Sequence, residues 1–290
     1  MSELHVRYPR RRLLSLAGSL AWILAACGGS DRSPAGEVEP LPTDPEPTAI
    51  PYERPKPLVE ADTRPGLEFT FADGLPASQA KLVEGATNTA LKYFRGETGV
   101  YVRGTVRVRV DFFTEGGPPQ GLSQGNSIVL NAGDPTWRAM PDWFAVKIVF
   151  HEYFHCLQEA ITRRRPSSTV LPAGDFVMQE GGADYAGFLG MTTLGYMSKD
   201  EAIQWNLDFV RRQPKLPPIG TFSGLHKGAA YPLALLAIDS LVGSGGVRLL
   251  GEYLYRVNTM DWRDAFSATF GRNLGEFHTE FEVWRQAQGI

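Results

Sequence analysis

The pentapeptide His151-Glu152-Tyr153-Phe154-His155 constrains this chain more than any other feature, because its chemistry works only on a helix. With 3.6 residues per turn, positions i and i+4 lie about 40° apart, so His151 and His155 share a face and can share one cation. Glu152 lies about 100° round the helix, beside the metal, where a carboxylate can take a proton from a water that the metal holds. The flanks agree with a helix. Pro141 suits a first helical position, and Arg163-Arg164-Arg165 before Pro166 place cations where a helix C-terminus favours them. Tyr153 and Phe154 point away from such a metal and should pack the helix against its neighbours.

Two histidines leave a hydrolytic metal site one protein ligand short, and a carboxylate from a second helix can complete it while keeping a position open. Gln179-Glu180-Gly181-Gly182-Ala183-Asp184-Tyr185 supplies one, with Glu180 as the ligand. Asp175 can cap this second helix, which should run to about Leu189. Gly181 and Gly182 each cost a helix about 1 kcal/mol, which close approach of two helices would explain.

Around this pair the patterning indicates an α+β fold, a small sheet followed by helices. Leu67 to Phe71 alternates as a strand, and Ala77 to Phe94 has helical spacing. Val102, Gly104, Val106, Val108, Val110 and Phe112 alternate with polar residues as one long strand, with one face solvated. The loop Gly116-Gly117-Pro118-Pro119 leads to a short strand, Ser127 to Asn131. Ser198 with Glu201 and Asn273 with Glu276 read as capping boxes, and Tyr231 to Leu241 as an apolar helix ended by Gly243-Ser244-Gly245-Gly246. Phe277, Phe281 and Trp284 form a core stripe, and His278 among them reads as a structural histidine.

The chain resembles the gluzincin metallopeptidases of the peptidase MA clan, in which a glutamate in an EGxAxY-like frame follows an HExxH helix. The likeness covers roughly residues 66–290. It implies a zincin-like fold, with a small, mostly antiparallel sheet packed on the HExxH helix and a helical C-terminal region. Zinc as the cofactor, peptide bonds as the substrate, and Ser127 to Asn131 as the edge strand lining the cleft are further implications. Glu180 and Asp184 resemble the ExxxD pattern of thermolysin-like enzymes. Asp184, one turn beyond Glu180, can accept the second ring proton of a ligating histidine. The resemblance also calls for an oxyanion donor from the later helices, for which Tyr231 and His226 are both candidates.

The N-terminus indicates export. A basic stretch ending at Arg12 precedes 14 apolar or small residues, Leu13 to Ala26, too few to span a bilayer, which takes about 20. Leu24-Ala25-Ala26-Cys27 resembles the lipobox of bacterial lipoproteins. Residues 1–26 thus read as a signal peptide and Cys27 as the acylated N-terminus, and with Gly28 next the resemblance implies the outer membrane or cell surface in a Gram-negative envelope. Residues 27–65, rich in proline and acidic residues, read as an extended tether, and 66–290 as the folded domain.

Charge excludes one class of partner. The net charge is -3, and removing the leader's four arginines and one glutamate leaves about -6, which offers no field for nucleic acid. Cys156, with only Cys27 for a possible partner, reads as a buried, inert thiol. The expectation is therefore a lipid-anchored zinc metallopeptidase acting on peptides or proteins. A non-catalytic zinc-containing binding lipoprotein and a zinc-dependent hydrolase of non-peptide amides or esters share the same residues. Endopeptidase and aminopeptidase modes stay open.

Overall fold

Among the described residues, four short strands carry the helices that build the site. The computed structural model describes residues 66–99, 101–102, 104–113, 120–162, 175–213, 216–222 and 228–290. The leader, Cys27, the tether, Gly116 to Pro119, Arg163 to Arg165 and His226 lie outside these described residues. The strands are β1 (Leu67–Phe71), β2 (Val106–Asp111), β3 (Gly121–Gln124) and β4 (Ser127–Asn131), in the spatial order β1-β2-β4-β3.

This order corrects two expectations. The sheet is mixed, not mostly antiparallel: β1 pairs with β2 and β2 with β4 in parallel, and only β3 runs antiparallel, against β4. Helix α1 (Ala77–Thr98) is the reason for the first pairing, since a helical crossover returns the chain to start β2 alongside β1 in the same direction. Ser127 to Asn131 is an interior strand, and β3 forms the edge, joined to β4 by a tight hairpin at Gly125 and Asn126 in which Gly125 takes a φ of 62°. The strand through Val106 also starts later than its alternation suggests, because Gly104, at a φ of 79°, turns the backbone before it.

One side of the sheet is core. Val106, Val108 and Val110 of β2 and Ile128 and Leu130 of β4 are fully buried. Helix α2 (Pro135–Ala139), capped by the Asp134 side chain, leads into α3 (Asp142–Thr162), the motif helix. Its Tyr153 stacks on Phe94 of α1 with ring centroids 6.0 Å apart, and Phe150 and Phe154 meet the same phenyl ring.

A π turn, Val177–Gly181, precedes α4 (Gly182–Thr193), which runs along α3. Beyond lie α5 (Lys199–Arg211), α6 (Ala230–Val242), α7 (Gly246–Val257), α8 (Trp262–Phe270) and α9 (Leu274–Ala287). The capping boxes at Ser198 and Asn273 open α5 and α9. α6 is apolar on nearly every face because nearly every face is buried. Phe277 and Phe281 of α9 are core residues, and His278 lies 3.5 Å from Asp175 at the head of the π turn.

Glycines set the helix spacings. A Cβ on Gly181 would stand 2.9 Å from Ala234 of α6, and one on Gly190 would stand 2.5 Å from the buried Phe150 ring of α3. Gly190→Val should therefore overpack the α3–α4 contact at a cost of about 1–3 kcal/mol, against a propensity gain of only a few tenths. At roughly 2–4 °C per kcal/mol, Tm should fall by several degrees. A thermal melt matching the wild type would show that this contact yields freely.

Candidate metal centre

The motif histidines face the π turn and α4. His151 is buried and His155 half-buried on α3, with their Nε2 atoms 3.1 Å apart. Glu180 enters from the π turn, and its Oε2 lies 3.5 Å from each Nε2, beyond a good hydrogen bond. The donor atoms of His151, His155 and Glu180 all fall within 4.8 Å of one another.

The surrounding polar groups decide which ring nitrogens face inward. Asp184 Oδ1 lies 2.9 Å from His151 Nδ1, and Gln158 Oε1 lies 2.7 Å from His155 Nδ1. A carboxylate and an amide oxygen are acceptors, so the network assigns a proton to each Nδ1 and leaves both Nε2 lone pairs pointing at the gap. Glu180 Oε2, buried without a hydrogen-bond partner, adds a third Lewis base. Three electron-rich atoms converging around one point repel one another unless a cation or a proton sits among them. Two imidazoles and a carboxylate also match the donor set of a hydrolytic zinc site, so the residues fit a metal of that kind.

Glu152 is buried beside this group, under the edge strand. A Cβ on Gly121 of β3 would stand 2.7 Å from Glu152 Oε1, so only glycine lets the strand backbone lie directly on the carboxylate. Tyr231, in the first turn of α6, has its ring 6.5 Å from that of His151 and 5.4 Å from that of Phe176. Cys156 is buried and in no disulfide among the described residues.

Three features of the site were not anticipated. Lys147, one turn before His151, is buried and places Nζ 2.9 Å from Asp184 Oδ1, so one carboxylate oxygen serves both a lysine and a histidine. Its signal was a lone lysine in the apolar start of the motif helix, four residues before the first histidine. Gln158, three residues past the second histidine, had only its helical spacing to mark it. The edge strand β3 carries Gly-Leu-Ser-Gln, without alternation or β-branched residues, and no local pattern announces it.

Charge in the group is strongly coupled. Burial opposes ionisation of Glu180, but His155 and His151 outweigh it and hold this carboxyl well below the usual range. Burial likewise opposes a charge on His155, and the adjacent Glu180 overcomes it, raising the imidazole above its ordinary 6.5. Without metal, the His155–Glu180 pair therefore adds stability that is fully present below the unfolded value of 6.5 and is lost as pH rises through the raised folded value. A cation needs the same nitrogen without its proton, so its stabilisation runs the other way. The Tm gap between metal-loaded and metal-free protein should widen from about pH 6 to about pH 8. A gap independent of pH would place the metal elsewhere.

No protein-family model matches the chain, and no curated protein matches it. Among solved structures, the M1 zinc metallopeptidase from Deinococcus radiodurans aligns at 18% identity and a TM-score of 0.48, over 75% of this chain and 47% of that one. A point mutant of the same enzyme aligns at 18% identity and a TM-score of 0.51, over 75% of this chain and 48% of that one. The second alignment shows a shared fold. The chain spans about half the length of the structures it matches.

Proposed function

We propose that the chain is a zinc metallopeptidase of gluzincin type, carried on the cell envelope as a lipoprotein through Cys27. The observation that carries this reading is the convergence of His151 Nε2, His155 Nε2 and Glu180 Oε2 on one point, with Asp184 and Gln158 behind the two Nδ1 atoms. Zinc, when bound by these three residues, supplies Lewis acidity toward a scissile carbonyl. The protein's own groups do the rest. Glu152 takes the proton of the attacking water and passes it to the leaving amine. Asp184 and Gln158 keep the two imidazoles in the tautomer that presents Nε2. Tyr231, beside His151 at the start of α6, donates to the oxyanion, with His226 as the other candidate.

The substrate adds to β3. An edge strand offers unpaired main-chain groups, and a peptide that pairs with them lies about 4.8 Å from the strand. Since Gly121 places the strand backbone against Glu152, that peptide passes directly beside the base. Metal analysis of the purified chain together with cleavage of a broad peptide library tests the reading. About one zinc per chain and cleavage within the library are expected. Zinc without cleavage of any peptide would favour a binding or non-peptide role, and a chain without metal would end the reading.

A further inference from the structure

Gln158 touches two parts of the metal centre at once. It is buried on α3, and its carboxamide oxygen accepts from His155 Nδ1 at 2.7 Å. Its amide nitrogen donates to the carbonyls of Met178 and Gln179, at 3.3 and 3.1 Å, in the π turn immediately before Glu180. That turn departs from the α-helical ladder. Gly182 N–H, which an α-helix would send to Met178 O, goes to Val177 O and Gln179 O instead. The carboxamide thus offers a donor to a carbonyl that the widened turn has deprived of its α-helical one.

We propose that Gln158 is a positioning residue coupling two of the three metal donors: it presents His155 Nε2 to the cation and anchors the π turn that brings Glu180 within reach. Both tasks need one group that accepts on one side and donates on the other, which a primary amide does and a carboxylate or an apolar side chain cannot. The two histidines are held differently as a result. His151 leans on an anion, Asp184, and His155 on a neutral amide that is itself tied to the carbonyl of Gln179, the residue just before the third ligand. The inference rests on the zinc reading of the site.

The test uses Gln158→Met, close in size and without either hydrogen bond, and Gln158→Glu, which keeps the acceptor and removes the donor. Zinc affinity is measured by competition with a chromophoric chelator on metal-depleted full-length chain. Amide exchange over residues 177–181 and the Nδ1–H resonance of His155 are followed in the zinc-loaded protein. Gln158→Met should weaken zinc roughly 10–100-fold and lose the slowly exchanging Nδ1–H signal. Gln158→Glu should keep that signal, yet show faster exchange across 177–181 and a smaller loss of affinity. A folded Gln158→Met binding zinc within about twofold of the wild type would overturn the proposal, because outer contacts that orient a ligand act on metal affinity itself. If Gln158→Met does not fold, unchanged exchange and affinity in Gln158→Glu overturn it equally. A wild-type chain that binds no zinc sinks the zinc reading along with this one, whereas tight binding by both wild type and Gln158→Met sinks this one alone.

Discussion

Glu152→Gln should lower peptide hydrolysis by a factor on the order of 10²–10⁴ while zinc content stays at the wild-type level. That corresponds to roughly 3–5 kcal/mol of barrier, the scale of one general base. Metal should survive because the converging donor atoms come from His151, His155 and Glu180. The amide is the right replacement because the carboxylate sits under the backbone of Gly121 in a space that an isosteric group fills and a shorter one leaves empty. Turnover, zinc stoichiometry and Tm measured on the same preparation decide the matter. Loss of turnover with unchanged zinc and Tm assigns the proton transfer to Glu152, and retained turnover removes it from the mechanism.

The second large effect is on stability. Lys147 and Asp184 form an ion pair with side-chain exposures of 8% and 3%, so neither charge has water to fall back on. Lys147→Met leaves a buried carboxylate with His151 as its only partner in that pair of contacts, and removing one member of a buried pair costs about 3–5 kcal/mol. A domain has only about 5–15 kcal/mol in total, so Tm should drop by around 10 °C. Asp184→Asn in the same chain should restore most of the loss, because a neutral amide oxygen still accepts from His151 without needing a cation. If Lys147→Met melted within a degree of the wild type, the pair would contribute nothing.

Acid sensitivity follows the same carboxylate. Burial opposes the charge on Asp184, but Lys147 and His151 outweigh it and lower the pKa below the ordinary 3.8. Its contribution is therefore present above pH 3.8 and lost as pH falls through the lowered folded value. Removing Lys147 takes away the strongest of these opposing influences, so the acid unfolding of Lys147→Met should begin at a higher pH.

The helical part of this architecture was readable because its signals are local. Capping residues at Ser198 and Asn273, the apolar run of α6 and the aromatic stripe of α9 each sit within a turn or two of what they determine. Sheet order is a different kind of information. The succession β1, α1, β2 did carry a cue for parallel pairing, but nothing near Ser127 says that Gly121 to Gln124 will fold outside it, since β3 is a strand only by virtue of the hairpin and its partner. The π turn was likewise hidden, with Gly181 and Gly182 as its trace. Lys147 and Gln158 went unseen because each lies outside the pentapeptide and acquires its role only when α4 and the π turn are laid against α3.

The outer edge of β3 has no strand paired with it among the described residues, and Leu122 on it is 45% exposed. An unpaired edge does not distinguish an extended peptide from another copy of the chain, so the edge at which a peptide could add is also the place where self-association would start. Brevity is the safeguard. With four residues, one of them Gly121, β3 offers too short a ladder to hold a second sheet by main-chain bonds alone. Lengthening this strand would therefore favour self-association over solubility.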